Sequence, residues 1–278
     1  MITFSVKKSL VRIALIAAAS LVALIPLEAA DDKAKVFDVD IEDNSFLMEE
    51  AYNQGPGVVQ FVSTFQYNTR SRSWTYLLVN EYPLISQMHQ LSYSLPVSQN
   101  AGVTSVGDIL LNYRLQILDS DIAAMAPRIS VIFPTGSYVD GLGSGGWGIQ
   151  FNWSASVKMG ANWVSHWNLG VTATIQAKNA LGQTGNPVTM NYGGSLIYKP
   201  LDFLNFLVEV VGTSGETVGA TGSIERAETL FINPGIRFAI TPNEKLQIVP
   251  GICVPLGVGP SLQEIAVLGY LSIEATFW

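Results

Sequence analysis

The amino-acid sequence predicts an all-β fold: a transmembrane, antiparallel, up-and-down β-barrel of about 12 strands, preceded by a short N-terminal helix. Three observations support this prediction. The 278-residue chain is 48% hydrophobic but only 13% charged, about half the charged fraction of an ordinary soluble domain. Apolar and polar residues alternate with a period of two along successive stretches, which is typical of strands with one apolar and one polar face. Short turns and long glycine-rich loops alternate between these stretches, as they do in barrels that cross a membrane.

The N-terminal residues have the order of a secretory signal peptide. Lys7, Lys8 and Arg12 precede an uncharged run over 13–27, and small residues follow it. This run has about 15 residues and contains a proline, whereas a membrane-spanning helix needs about 20. We therefore expect export. The single cysteine, Cys253, allows no intramolecular disulfide in an oxidising compartment.

The chain divides into three predicted parts: a signal peptide (1–30), a periplasmic leader with a short helix (31–56) and an outer-membrane barrel (57–278). The helix is predicted within 44–55, because Ser45 can cap it, Glu49 and Glu50 lie in its first turns, and Gly55 can end it. Such a helix would lie at the periplasmic mouth of the barrel, either as a plug or as a lead-in to the first strand.

The alternation that defines the strands is clear in 147–158, where Phe151 and Trp153 take one face and Asn152 and Ser154 take the other. Strands of roughly 10–15 residues exceed the usual length in soluble proteins and are long enough to cross a bilayer at a tilt. The predicted strands cover 57–68, 73–82, 88–97, 105–118, 126–134, 146–158, 162–177, 188–199, 203–213, 227–240, 245–255 and 264–278.

The connections differ in length on the two sides of the predicted barrel. Short turns are predicted at 159–161, 199–202 and 241–244, and long loops at 135–145, 178–187 and 213–226. In outer-membrane barrels the short turns are periplasmic and the long loops are extracellular. We expect the same orientation here.

A soluble β-sandwich also has alternating strands, but it buries its apolar face against a second sheet. Two features favour the barrel. The polar face carries few charges, as expected of a lumen, and aromatic residues such as Trp147, Trp163 and Tyr198 lie at strand ends. The last strand also ends in Phe277 and Trp278, which resembles the aromatic closing strand that barrel assembly machinery recognises.

Other motifs are weak indications of chemistry. The pattern GxGxxG at 141–146 precedes a strand rather than a helix, so we interpret it as a surface loop rather than a dinucleotide site. No GxSxG motif is present, and only His89 and His166 could serve as a base. We predict no enzyme, cofactor or metal site, with an outer-membrane lipid hydrolase as a minor alternative. The net charge of −7 argues against a nucleic-acid partner.

Inward-facing charged and titratable residues are the candidate site residues. Two interpretations of them remain open: a cross-lumen network that stabilises the barrel, or a wet path whose mixed charges pass neutral or modestly polar solutes. The proposed lumen-lining residues are Glu81, Asp108, Arg114, Arg128, Lys158, His166, Glu209, Arg237 and Glu274.

The sequence resembles a known family in the leader at 47–54, in the step at 133–136 with the glycines of 141–148, and in its aromatic end. It is similar to the outer-membrane proteins named for the meta-pathway of phenol degradation. This resemblance implies a location in the outer membrane of a didermic bacterium and passive passage of small, often aromatic, molecules. The implied partners are outer-membrane lipids, barrel assembly machinery and small solutes. A closed barrel with a structural or surface-binding role is the alternative.

Overall fold

The computed structural model describes Phe37, Ile41 and residues 45–277. The predicted signal peptide, 1–30, and Trp278 lie outside the described residues. The described chain forms a closed antiparallel barrel of 12 strands. The strands are β1 (Val58–Asn68), β2 (Ser73–Leu84), β3 (His89–Asn100), β4 (Ile109–Leu115), β5 (Ala123–Phe133), β6 (Trp147–Lys158), β7 (Trp163–Ile175), β8 (Val188–Leu201), β9 (Leu204–Val218), β10 (Ile224–Phe238), β11 (Leu246–Cys253) and β12 (Ala266–Thr276).

Each strand pairs with its neighbours in the chain, and the last strand closes the barrel on the first. β1 and β12 pair from Val58 with Thr276 to Asn68 with Ala266. Closure pairs both edges of the sheet, which is what a lipid environment requires of backbone hydrogen-bonding groups. Short strands lie beside the turns and loops, two of which, Ala177–Lys178 and Thr184–Gly185, pair with each other in a separate two-stranded sheet, and one 3-10 turn lies between β11 and β12. These elements are Val103–Val106, Leu118–Asp119, Ala177–Lys178, Thr184–Gly185, Ile240–Asn243, Leu256–Gly257 and the 3-10 turn Gly259–Ser261.

Outward and inward side chains differ sharply in polarity. On β6 the outward Phe151 is 43% exposed, whereas its inward neighbour Asn152 is 2% exposed. The same alternation on β7 places Leu169 outside and Asn168 inside. An apolar band that a membrane covers explains so many exposed large hydrophobic residues, which a soluble surface would not tolerate. Within the described residues, no helix has the length and apolar character needed to span a membrane.

The two ends of the barrel have different connections. The short-turn end carries the turns at 85–88, 159–162 and 202–203. The opposite, long-loop end carries the connections at 134–146, 176–187 and 254–265. The alternation predicted from the sequence is therefore confirmed for the loops after β5 and β7.

The predicted long loop at 213–226 is wrong, because β9 and β10 continue through most of it. Their pairing extends to Val218 with Ile224. Only a tight turn remains, closed by the bond from the Gly219 amide to the Ser223 carbonyl oxygen. Polar residues such as Glu216 and Arg226 interrupt the alternation of apolar and polar residues here. A hairpin that extends beyond the membrane needs no apolar face, so the alternation is not required there.

The predicted helix at 44–55 is also wrong within the described part of this region. Residues 45–57, which we call the strap, have no helical turn and run as an irregular chain inside the barrel. Side chains of the barrel wall bind the strap's amides in place of helical carbonyl groups. A helix of this length is only marginally stable on its own, so contacts with the wall determine the conformation of the strap.

Candidate functional site

Two described residues that precede the strap, Phe37 and Ile41, lie at the short-turn end of the barrel. The Phe37 amide donates to the carbonyl oxygen of Glu244, in the turn between β10 and β11. Ile41 is buried against Ala239 and Val249 near the same turn. The strap itself crosses the lumen from the β9 side, where Leu47 meets Glu209, to the β1 side, where its last residues lead into Val58.

Polar side chains of the wall accept the strap's backbone N–H groups one after another. The donors and acceptors are Leu47 and Met48 to Glu209 Oε1 (3.0 and 3.3 Å), Glu49 to Asn168 Oδ1 (2.9 Å), Ala51 to Ser156 Oγ (2.8 Å), Asn53 to Gln116 Oε1 (3.1 Å) and Gln54 to Gln90 Oε1 (2.9 Å). Each such bond contributes about 0.5–1.5 kcal/mol, and those to the Glu209 carboxylate contribute more when it is ionised. The wall therefore offers a series of acceptors that matches the backbone of the strap.

Glycines of the wall make room for the strap's apolar side chains. Phe46 lies edge-on to Tyr270, with ring centroids 5.6 Å apart. A Cβ atom at Gly235 or Gly251 would collide with the Phe46 ring. At Gly193 a Cβ would lie 2.8 Å from the Met48 sulfur. The wall is thus shaped to hold these two side chains.

An ion pair fixes the middle of the strap. Glu49 accepts two bonds from Arg128, at 3.0 Å from Nε and 2.7 Å from Nη2. Burial by itself raises the pKa of Glu49, but the charge and hydrogen bonds of Arg128, with a smaller effect of Arg114, lower it below its ordinary value. Glu49 is thus held as a carboxylate against Arg128.

A second arginine binds the strap through its backbone. Arg114 donates from Nε to Asn53 Oδ1 at 2.8 Å and from Nη1 to the Glu50 carbonyl oxygen at 3.1 Å. It also contacts Glu81 at 3.5 Å, and both side chains are buried. The candidate residues Glu81, Arg114 and Arg128 therefore lie together around the strap.

The remaining acidic candidates occupy three different places. Glu209 lies beneath the start of the strap, and Glu274 accepts a bond from Gln60 Nε2 at 3.1 Å. Asp108 lies at the long-loop end, where it accepts bonds from the Gly136 and Ser144 amides at 2.9 and 2.7 Å. Asp108 therefore anchors the loop after β5.

The other basic and titratable candidates lie near the short-turn end. The ammonium group of Lys158 lies 5.0 Å from the centroid of the Tyr52 ring. His166 is buried, with Nδ1 2.7 Å from Ser156 Oγ. Arg237 is buried on β10 opposite Asn205 of β9. Among the candidates, the described contacts include one carboxylate–cation pair, Glu81 with Arg114.

Sequence reasoning did not identify the strap's partners. The sequence pattern predicts a helix around Glu49 and does not single out Asn168, Gln116 or Gln90. The amide groups of Asn168, Gln116 and Gln90 are buried on the inner side of the wall. That excess of hydrogen-bonding side chains was the available signal that the lumen holds a polypeptide.

The described residues contain no cluster of three His, Cys, Asp or Glu side chains that could hold a metal ion. The Ser156–His166 pair resembles part of a hydrolytic site, but both residues are buried and Ser156 Oγ also accepts the Ala51 amide. This pair therefore supports the strap.

Comparisons with known proteins agree with this architecture. The COG4313 outer membrane channel from Pseudomonas putida F1 superimposes with a TM-score of 0.65 at 16% sequence identity, covering 86% of this chain and 100% of that chain. The NanC porin gives a TM-score of 0.54 at 8% identity, covering 78% of this chain and 100% of that chain. At these identities the likeness concerns the fold. No curated protein sequence matches the chain significantly.

The family model described as "Putative MetA-pathway of phenol degradation" matches residues 47–250, from the strap to β11. This match covers well over half of the chain. Its start coincides with the strap, so the matched region includes the polypeptide inside the lumen as well as most of the wall. The protein therefore belongs to the phenol-degradation MetA-pathway family.

Proposed function

We propose that this protein is an outer-membrane channel that gives small molecules passive passage, and that the strap narrows its lumen. One observation carries the proposal: the barrel is apolar outside, and its interior, which is mostly polar apart from an apolar cluster around Phe46, holds a hydrogen-bonded segment of its own chain. A purely structural barrel of this size could be filled by packed apolar side chains. A polar interior instead accommodates water and polar solutes around the strap.

The comparisons support the same function. One structural neighbour is an outer membrane channel and another is a porin. We propose that this chain lies in the outer membrane of a didermic bacterium, with outer-membrane lipids around its apolar band. Phe277 is 60% exposed after the closing strand and would face the barrel assembly machinery during insertion. Small, aromatic or hydrophobic molecules are the proposed solutes.

We further propose that the protein acts without catalysis. The Ser156 hydroxyl is buried and bonded both to the Ala51 amide of the strap and to His166, so it is already engaged in the structure. This arrangement supports a channel rather than the alternative of a lipid hydrolase.

Planar-bilayer recordings and solute uptake into liposomes test the channel. The variant Phe46→Ala/Met48→Ala removes the strap's two apolar anchors and should increase conductance over wild type. A matched control, Phe65→Ala/Met190→Ala, removes the same residue types from the outward face, where both are exposed. The control should conduct like wild type. A folded barrel with neither conductance nor solute uptake, in wild type and in Phe46→Ala/Met48→Ala, would support the closed-barrel alternative.

A further inference from the structure

The long-loop end of the barrel has a side on which the connections are short. β1 and β2 are joined by the four residues 69–72, and the hairpin that begins with β3 turns at 101–102. We call these two turns the low rim. Asn68 pairs with Ser73, and Trp74 pairs with Gln99, so the two turns lie side by side. Because so few residues follow the strands here, lipid headgroups around the barrel can reach the turns themselves.

Charge is distributed unevenly around this end of the barrel. The low rim carries two exposed arginines, Arg70 and Arg72. With the neighbouring Glu264, whose Oε1 lies 3.4 Å from Arg70 Nη1, the local net charge is +1. The connections at 134–146 and 176–187 and the hairpin at 213–228 carry four carboxylates and two cations, a net charge of −2: Asp140, Glu216, Glu225, Glu228, Lys178 and Arg226. Positive charge is thus concentrated on the low rim.

The turn at 69–72 holds its two arginines in place. The Asn68 side chain accepts hydrogen bonds from the Arg70 and Ser71 amides, each at 3.0 Å, and donates to Glu264 at 2.9 Å. Within the described part of the chain, the Arg72 guanidinium has no ion-pair or hydrogen-bond partner. A guanidinium group presents a planar fork of donors that matches the oxygens of a phosphate group. Arg72 is therefore available to bind such a group.

An aromatic patch lies directly below this turn. We define it by Phe65, Tyr67 and Trp74; Trp74 pairs with Tyr67 and stacks on Phe65, with ring centroids 5.6 Å apart. The patch faces outward, because Val267, opposite Tyr67, is 42% exposed, whereas the next residue, Leu268, is buried with Phe46 in the lumen. Outward aromatic rings at the end of a barrel lie where headgroups meet acyl chains.

An unpartnered amide oxygen adjoins the aromatic patch. Gln99 of β3 is paired directly with Trp74, and its buried Oε1 atom has no hydrogen-bond partner among the described residues. Buried polar atoms nearly always have a partner, so this oxygen indicates a donor from outside the chain. A sugar hydroxyl of a glycolipid is such a donor. Phosphate-binding, sugar-binding and apolar groups therefore lie next to one another on the outer side of two neighbouring hairpins.

We propose that the low rim and the aromatic patch form a binding site for a phosphorylated glycolipid of the outer leaflet, of the lipid A class. Arg72, assisted by Arg70, binds a headgroup phosphate, Gln99 accepts a sugar hydroxyl, and the acyl chains lie along the aromatic patch. Charge complementarity identifies this occupant. The site goes beyond solute passage and rests on the proposed membrane and orientation, which cysteine labelling tests separately.

Native mass spectrometry of the full, folded barrel in detergent, titrated with diphosphoryl lipid A, tests the site. Arg72→Gln leaves the Arg70–Glu264 pair intact and should weaken lipid A binding about fivefold, and Arg70→Gln/Arg72→Gln should weaken it about 30-fold. Arg72→Lys keeps the charge but not the planar fork, so its affinity should lie between those of wild type and Arg72→Gln. A matched control, Arg226→Gln, removes an exposed arginine from the acidic hairpin at the same end and should change binding less than twofold. The circular dichroism spectrum of each variant verifies its fold.

Two further probes distinguish the lipid from a free anion. Monophosphoryl lipid A should bind several times more weakly than the diphosphoryl form, and equimolar inorganic phosphate should not compete with either. Equal lipid A affinity in wild type and Arg70→Gln/Arg72→Gln, an equal loss in Arg226→Gln, or competition by inorganic phosphate would overturn the proposal. Binding is measured without conduction. Lipid A binding to a barrel that does not conduct would refute the channel and leave the site, whereas conduction without lipid A binding would refute the site alone.

Discussion

The substitution Glu49→Gln tests whether the ion pair with Arg128 holds the strap in the lumen. The pair is intermediate in burial: the Arg128 side chain is 12% exposed and that of Glu49 is 30% exposed. Exposed pairs contribute about 0–1 kcal/mol, whereas breaking a fully buried pair costs about 3–5 kcal/mol. Arg128 keeps Asn112 and Gln150 as acceptors after the substitution, which reduces the loss. We therefore expect Glu49→Gln to destabilise strap docking by about 1–2 kcal/mol.

Hydrogen exchange measures this change directly, because the strap amides bond to the wall. A loss of about 1.4 kcal/mol corresponds to a tenfold larger undocked population. Exchange in a peptide covering residues 45–57 should accelerate by roughly that factor, while peptides from β6 to β9 keep their protection. The control Glu264→Gln removes a carboxylate from the Arg70–Glu264 pair, which is more exposed and lies at the long-loop end. Strap exchange that is the same in Glu49→Gln, Glu264→Gln and wild type would refute the reasoning.

The pH dependence of strap protection has a definite sign. The pKa of Glu49 is lower in the folded protein than its ordinary value of 4.5, mainly because Arg128, assisted by Arg114, outweighs the effect of burial. The stabilisation is therefore complete above pH 4.5 and is lost as the pH falls through the folded-state pKa. After correction for intrinsic exchange rates, wild-type protection should fall at acidic pH towards that of Glu49→Gln. Equal acid dependence in both proteins would contradict this assignment.

Three other predictions concern orientation, the lipid face and the groove for the strap. A cysteine substituted at Ser144 should react with a membrane-impermeant thiol reagent on intact cells, whereas one substituted at Asn243 should not. Labelling at Asn243 alone would show that the barrel has the opposite orientation. Leu169→Arg places a cation in the apolar band and should lower the free energy of unfolding in lipid by about 2–4 kcal/mol, whereas Leu169→Met should change it little; equal losses would place Leu169 off the lipid face. Gly235→Ala places a methyl group against the Phe46 ring, and also against Cys253 Cβ and the Ile252 carbonyl oxygen, so it should reduce strap protection by about 1–3 kcal/mol. A Cβ at Gly269 meets nothing closer than the Phe65 carbonyl oxygen at 4.0 Å, so Gly269→Ala should leave strap protection unchanged; equal exchange rates would contradict the proposed fit.

The sequence by itself determined the barrel wall. A period of two assigns each side chain to a face without knowledge of its neighbours, so Phe151 outside and Asn152 inside followed directly from their order. The turns after β6 and β8 were also readable, because short polar turns interrupt the alternation. Where the barrel leaves the membrane this alternation disappears, so the sequence pattern predicts a loop where the structure has the hairpin from Thr213 to Arg226.

Only the tertiary structure decided what lies inside the wall. The local pattern of residues 44–55 satisfied the rules for a helix, but Glu209, Asn168 and Ser156, more than 100 positions away in sequence, bind its amides. Phe46 is likewise more than 100 positions in sequence from Gly235 and Gly251, the glycines that accommodate its ring. Closure of the barrel brings these groups together, and local helix or strand propensities contain no information about such long-range contacts.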